Sequence, residues 1–150
     1  GALKYFILKV DPKKTMLCDP RESIDFNGNT GPFIQYTHAR ICSILRKAAE
    51  MGYKPSLTGA EINEKEIDII KLLGNYPIKI QEAGIEHSPA LIANYIYELA
   101  REFNHYYHEV TILKEEDSSK RDQRLLIIGE IAKILRSSSA ILGFELPERM

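Results

Sequence analysis

Tyr36 and Arg40 lie four residues apart in the stretch GNTGPFIQYTHARI (28–41), a spacing that places them one turn apart on the same face of a helix. An exposed tyrosine can stack on an unpaired nucleobase while a guanidinium one turn away meets a phosphate, so the pair suits RNA. Ser43 and Lys47 continue this polar stripe; Ile34, Thr37, Ile41, Ile44, Leu45 and Ala48 form an apolar one. Gln35 and His38 lie off the polar stripe and are expected to hydrogen-bond within a bundle. A second aromatic candidate is Tyr107: Tyr106 falls on the apolar face of its own helix, which turns Tyr107 outward near the helix end. Arg101, Arg121, Arg124 and Lys133 can offer phosphate contacts, and Lys9, Lys13 and Lys14 form a small basic group, although scattered basic residues are more often simply solvated.

Catalytic chemistry is not legible. The chain carries no Gly-rich phosphate loop, no Ser/His/Asp arrangement and no Cys/His metal spacing, so no catalytic residue and no metal ligand is expected. His105 and His108 sit three apart but lack the further ligands that a metal needs, and read as surface or packing residues. Cys18 and Cys42 are too few and too poorly spaced for a disulfide framework or a zinc site, and read as two ordinary thiols.

The elements that must position these groups are helices. Asn29 or Thr30 can cap a helix with Pro32 in its first turn, running to about Glu50 before Gly52 and Pro55. Asn63 and Glu66 form a capping-box pattern ahead of a short helix with Ile67, Ile70 and Leu73 in register, and residues 78–84 add a helical turn or two. Ser88-Pro89 opens the most regular run, with Ile92, Tyr95, Ile96, Leu99, Phe103 and Tyr106 on one face. Leu125, Ile128, Ala132, Leu135 and Leu142 mark a last long helix closed by Gly143. The expected fold is all-α: a helical bundle of four to five helices over residues 31–150, preceded by an irregular N-terminal strap over residues 1–30. Lys4 to Val10 is the one candidate strand in that strap.

At 150 residues with 44% hydrophobic content the chain can build one ordinary core. Twenty basic residues against 21 acidic ones leave a net charge of −1, so any nucleic-acid site must be a local patch. No apolar run approaches the roughly 18 residues of a membrane span, and the start lacks the layout of a signal peptide, which leads to a soluble, cytoplasmic expectation.

Three blocks, GNTGPFIQYTHARI, LIANYIYELAREFNHYYHEVTIL and GFELPERM, together resemble the C-terminal part of the arginyl-tRNA synthetase family, in that family's order and over essentially the whole chain. The resemblance implies an anticodon-binding helical bundle of a class I synthetase, with residues 1–30 leaving a catalytic domain that the sequence does not contain. The family's HIGH and KMSK signatures have no counterpart here, so this piece is itself non-catalytic and needs no cofactor. ATP and Mg belong to the full-length ligase that joins arginine to its tRNA. The implied partners are the anticodon arm of the tRNA for arginine and the enzyme's own catalytic domain, with no DNA and no membrane. Similarity to the family places Met150 and Tyr107 against anticodon bases and matches Tyr36 and Arg40 to its QYxHxR pattern. One turn after Tyr107, where the family often has a large residue, this chain has Thr111. The rival expectation is a helical protein-interaction module whose exposed Tyr and Arg residues anchor a protein partner.

Overall fold

The computed structural model describes residues 1–11, 13–15 and 20–150, with the backbone alone at Pro20; Cys18 lies outside the described residues. Seven helices occur among them and no strand: α1 (Ala2–Leu8), α2 (Pro20–Ser23), α3 (Gly31–Glu50), α4 (Glu64–Gly74), α5 (Tyr76–Glu86), α6 (Pro89–Glu109) and α7 (Ser118–Leu142). The all-α bundle expected from periodicity is what forms. The helix α6 is its axle, packed by α3, α4, α5, α7 and α1, and α3 and α7 also pack on each other.

Local chemistry sets the ends. Thr30 caps α3 by accepting from the Phe33 amide at 3.2 Å, and Pro32 occupies the first turn, where its missing N–H costs nothing. In α4 the Asn63–Glu66 capping box is complete, with reciprocal bonds of 2.9 and 3.0 Å. Asn75 ends α4 and precedes α5; Pro77, in the first turn of α5, cannot donate to an earlier carbonyl, which splits the two helices. Asp117 caps α7, and Gly143 closes it at φ +78°, a left-handed conformation that suits glycine.

The core is the apolar stripe of α6 meeting those of α3 and α7. Ile96, Leu99 and Phe103 are fully buried against Ile34, Ile41, Leu125, Ile128, Ile131 and Leu135. Each such side chain contributes about 1.5–3 kcal/mol relative to leaving it exposed.

Three expectations change. The segment expected to be irregular, with a possible strand at Lys4 to Val10, is helical from Ala2 to Leu8, because Tyr5 and Phe6 are buried on one side of the turn. Tyr5 is fully buried, and its hydroxyl donates to the Ala93 carbonyl at 2.9 Å. A Cβ at Gly31 would lie 3.2 Å from the carbonyl of Gly1 and the Cα of Ala2, so the absent side chain lets α1 seat on the start of α3. In α4 the inward residues are Glu66 and Ile69 while Ile70 is 40% exposed, since the Glu66 carboxylate is drawn inside by Tyr106 and Arg124. Residues 76–86 form a full helix, stabilised by Ala83 and Ile80 against the core rather than by local propensity.

Candidate functional site

Tyr36 and Arg40 on α3, Tyr107 near the end of α6 and Met150 at the C-terminus line one groove of about 440 Å³. Tyr36, Tyr107 and Met150 are 41%, 39% and 62% exposed. The four come from three separate parts of the chain: the packing of α3 on α6 brings Tyr36 and Arg40 to Tyr107, and the tail held along α3 and α7 brings Met150.

Arg40 is the centre of the arrangement. Its guanidinium lies 4.7 Å from the Tyr36 ring and 5.2 Å from the Tyr107 ring, within cation–π range of both. It donates to Asn104 Oδ1 and, at 3.1 Å, to the Tyr36 hydroxyl. Asn104 is itself held by bonds of 2.8 Å to Thr37 Oγ1 and to the Ala100 carbonyl. Tyr107 is backed by Phe103, stacked at 5.9 Å, and by the edge of His108 at 6.1 Å. Arg40 therefore spends much of its donor fork on fixing the two tyrosine rings, and is less free for a phosphate than the i, i+4 spacing alone suggests.

The groove continues on both sides. A space of about 540 Å³ bounded by Phe26, Asn27, Tyr36, Arg40 and Met150 adjoins it at one end. Another of about 380 Å³, between Ile44, Tyr107 and the 108–114 turn, adjoins it at the other. Phe26 packs edge-on against Tyr36 at 6.3 Å and is half exposed. Successive lobes thus share aromatic walls. Arg46, Lys47 and Arg149 join Arg40 around the central lobe, with Glu148 the one acidic side chain there, giving the local positive patch that a near-neutral chain needs for an anionic ligand.

The C-terminal tail is fixed rather than frayed. Phe144 is buried edge-to-face with Tyr5 at 5.9 Å, and its amide donates to the Ser139 carbonyl. Lys4 Nζ donates to the Gly143 carbonyl at 2.6 Å, and Gln35 Nε2 to the Glu145 carbonyl at 2.9 Å. His38 is fully buried, with Nδ1 2.9 Å from the Pro147 carbonyl and Nε2 3.5 Å from Arg136, which also bonds Glu148 at 3.2 Å. Since a carbonyl can only accept, Nδ1 carries the proton and Nε2 faces the guanidinium unprotonated. Burial pushes the imidazole below its usual value, the Pro147 carbonyl and Glu148 opposing and Arg136 adding to the shift. Cys42 is a free thiol 3.7 Å from His38 Nε2, raised by burial.

Five of the other candidate cations have partners outside the groove. Arg124, an expected phosphate contact, instead bonds Glu66 at 2.8 Å, Glu115 at 2.6 Å and the Thr111 carbonyl at 2.8 Å. The nearly buried Glu66 carboxylate would otherwise be left without a counter-charge. Arg121 covers the Tyr53 ring at 3.6 Å and pairs with Asp122; Arg101 and Lys133 pair with Glu102 and Glu130. Lys9 donates to the Asn29 carbonyl at 2.9 Å. The residues that sequence reasoning passed over are Asn104, Phe26, Arg46 and Arg149. A Phe just before the Asn27-Gly28 turn was the one visible signal, and the others acquire meaning only from what they face.

Comparison with known proteins is consistent with this geometry. A family described as "DALR anticodon binding domain" matches residues 34–150. The chain is 54% identical over 154 residues to an arginine–tRNA ligase of Parabacteroides distasonis and 52% identical over 153 residues to one of Porphyromonas gingivalis; each match takes in 100% of this chain and 26% of the relative. A solved arginyl-tRNA synthetase of Thermus thermophilus superposes with a TM-score of 0.92 at 30% identity, covering 100% of this chain and 26% of that one. The chain thus spans about a quarter of the length of the curated relatives it matches.

Proposed function

The chain belongs to the DALR anticodon-binding domain family, and on that premise we propose that the Tyr36–Arg40–Tyr107–Met150 groove grips the anticodon arm of a tRNA. The relatives' name, arginine–tRNA ligase, supports the tRNA for arginine as the partner and the joining of arginine to it as the reaction served; ATP and Mg would then act in a catalytic domain outside these residues. On this reading residues 1–30 lead from that catalytic domain, and the enzyme works in the cytoplasm. No helix among the described residues is long and apolar enough to cross a membrane.

The observation that carries the proposal is the convergence of two exposed rings, a thioether and a set of cations on one groove. Unpaired anticodon bases can splay into its lobes and stack on Tyr36 and Tyr107, each stack being worth about 1–3 kcal/mol. Arg40 holds the two rings apart at a fixed spacing, so little ordering entropy is left to lose on binding. Met150 offers a polarizable, adaptable apolar contact. Arg46, Lys47 and Arg149 are left to meet the backbone phosphates. A protein-interaction module, the rival, finds no comparable support in the family match.

The test is anisotropy titration of this chain with the anticodon stem-loop of the tRNA for arginine and with the same loop carrying an altered anticodon. Tighter binding to the first, and loss of that preference in Tyr107→Ala, is expected. Equal binding of both loops by the unaltered chain would refute base recognition by the groove.

A further inference from the structure

We propose that His38, buried and away from the ligand, is a positioning residue that latches the C-terminal tail and thereby sets Met150 in the groove. The inference rests on the RNA-binding role proposed above. Its basis is connectivity. Met150 is three residues beyond Pro147, a reach of about 10 Å in extended chain, and the Pro147 carbonyl is a backbone tail atom bonded from within α3. That bond of 2.9 Å comes from a fully buried donor. Upstream, Gln35 holds the Glu145 carbonyl; downstream, Glu148 is held by Arg136, which is also the partner of His38 Nε2.

Gln35 and His38 stand three apart on α3, and Tyr36 and Arg40 interleave with them on the same helix. One helix therefore presents two ring-organising residues to the groove and two tail-holding residues to the segment that delivers Met150. Termini without such ties are normally mobile. Here a buried imidazole whose two nitrogens have different partners, one a tail carbonyl and the other an arginine that holds the next tail side chain, makes the tail part of the bundle.

The test reads tail order and RNA affinity separately. In chain labelled with ¹³C-methyl methionine, the Met150 signal is identified by its loss on deleting Met150, and its linewidth and relaxation report the mobility of the end. His38→Leu keeps the bulk but cannot donate; it is expected to give a sharp, mobile Met150 signal and roughly tenfold weaker binding of the anticodon stem-loop, the scale of one lost contact of the kind made by a stacked base. His38→Asn places an amide N–H where Nδ1 stood, and is expected to restore an ordered signal and affinity within about threefold of the parent. Should His38→Leu fold poorly by circular dichroism, Gln35→Met at a half-buried position loosens the same tail without touching the core. An ordered Met150 signal in a folded His38→Leu chain, or no rescue by His38→Asn, would overturn the latch. A released tail with undiminished RNA affinity would uphold the latch and remove Met150 from the RNA site.

Discussion

Replacing Arg40 with Ala separates a scaffold from a charge. If Arg40 met a phosphate, its loss would lower affinity and also lower the salt dependence of binding, by about 0.7 in the slope of log K against log salt for a single-stranded phosphate. The structure instead ties its guanidinium to Asn104 and the Tyr36 hydroxyl and sets it 4.7 and 5.2 Å from two tyrosine rings. Two cation–π contacts at a partly exposed site are worth about 0.5–1 kcal/mol each, so Arg40→Ala is expected to cost about 1–2 kcal/mol of stability. The larger effect falls on RNA. With Tyr36 and Tyr107 no longer held, one stack's worth of binding, about 1–3 kcal/mol or roughly 5- to 150-fold, is lost. The salt slope stays as in the parent. Replacing Lys47 or Arg46 with Ala gives the converse, a modest loss at low salt and a slope smaller by about 0.7. The assay is anisotropy titration of the anticodon stem-loop over a salt series, with Arg40→Lys as a third variant that keeps the charge but not the planar fork. A slope reduced by Arg40→Ala, or parent-like affinity in Arg40→Lys, would refute the scaffold role.

The Glu66–Arg124 pair should behave as a buried ion pair: Arg124→Met costs about 3–5 kcal/mol in urea unfolding, and adding Glu66→Gln recovers much of it because no uncompensated charge then remains. A double variant as unstable as the single one would show that the loss is packing. His38, lowered by burial from 6.5, makes stability full above that pH. The unfolded chain takes up the proton first as pH falls, so urea-measured stability should decline from about pH 6.5 downward until the folded value is passed, and His38→Asn should flatten that part of the profile. Arg136 beside Nε2 opposes the incoming charge and Glu148 favours it; an unchanged profile in His38→Asn would assign the decline to other groups. Deleting Met150 alone should leave the thermal midpoint nearly unchanged, the residue being 62% exposed, while weakening binding to the cognate stem-loop; equal affinity of both forms would take Met150 out of the site.

Periodicity and capping chemistry determined the elements of this protein. The Thr30–Pro32 entry to α3, the Asn63–Glu66 box, the Gly143 stop and the six-residue stripe of α6 are short-range patterns whose physical causes lie within one or two turns, and each is found where those causes put it. The exposure of Tyr36 and Tyr107 followed from the same arithmetic, because residues off an apolar stripe face away from the core. What tertiary structure alone decided are the relations between elements. No local signal makes Ala2–Leu8 a helix; burial of Tyr5 against α6 and the missing side chain of Gly31 do. No local signal turns Glu66 inward, since its partners Tyr106 and Arg124 are 40 and 58 residues away. Arg40 and Arg124 look alike as solvated helix arginines, and packing sends one between two tyrosines at the groove and the other to a buried carboxylate. A residue's propensity is a property of its neighbours in the chain, whereas its partner is chosen by the fold, so the groove was legible in its members and illegible in what each of them does.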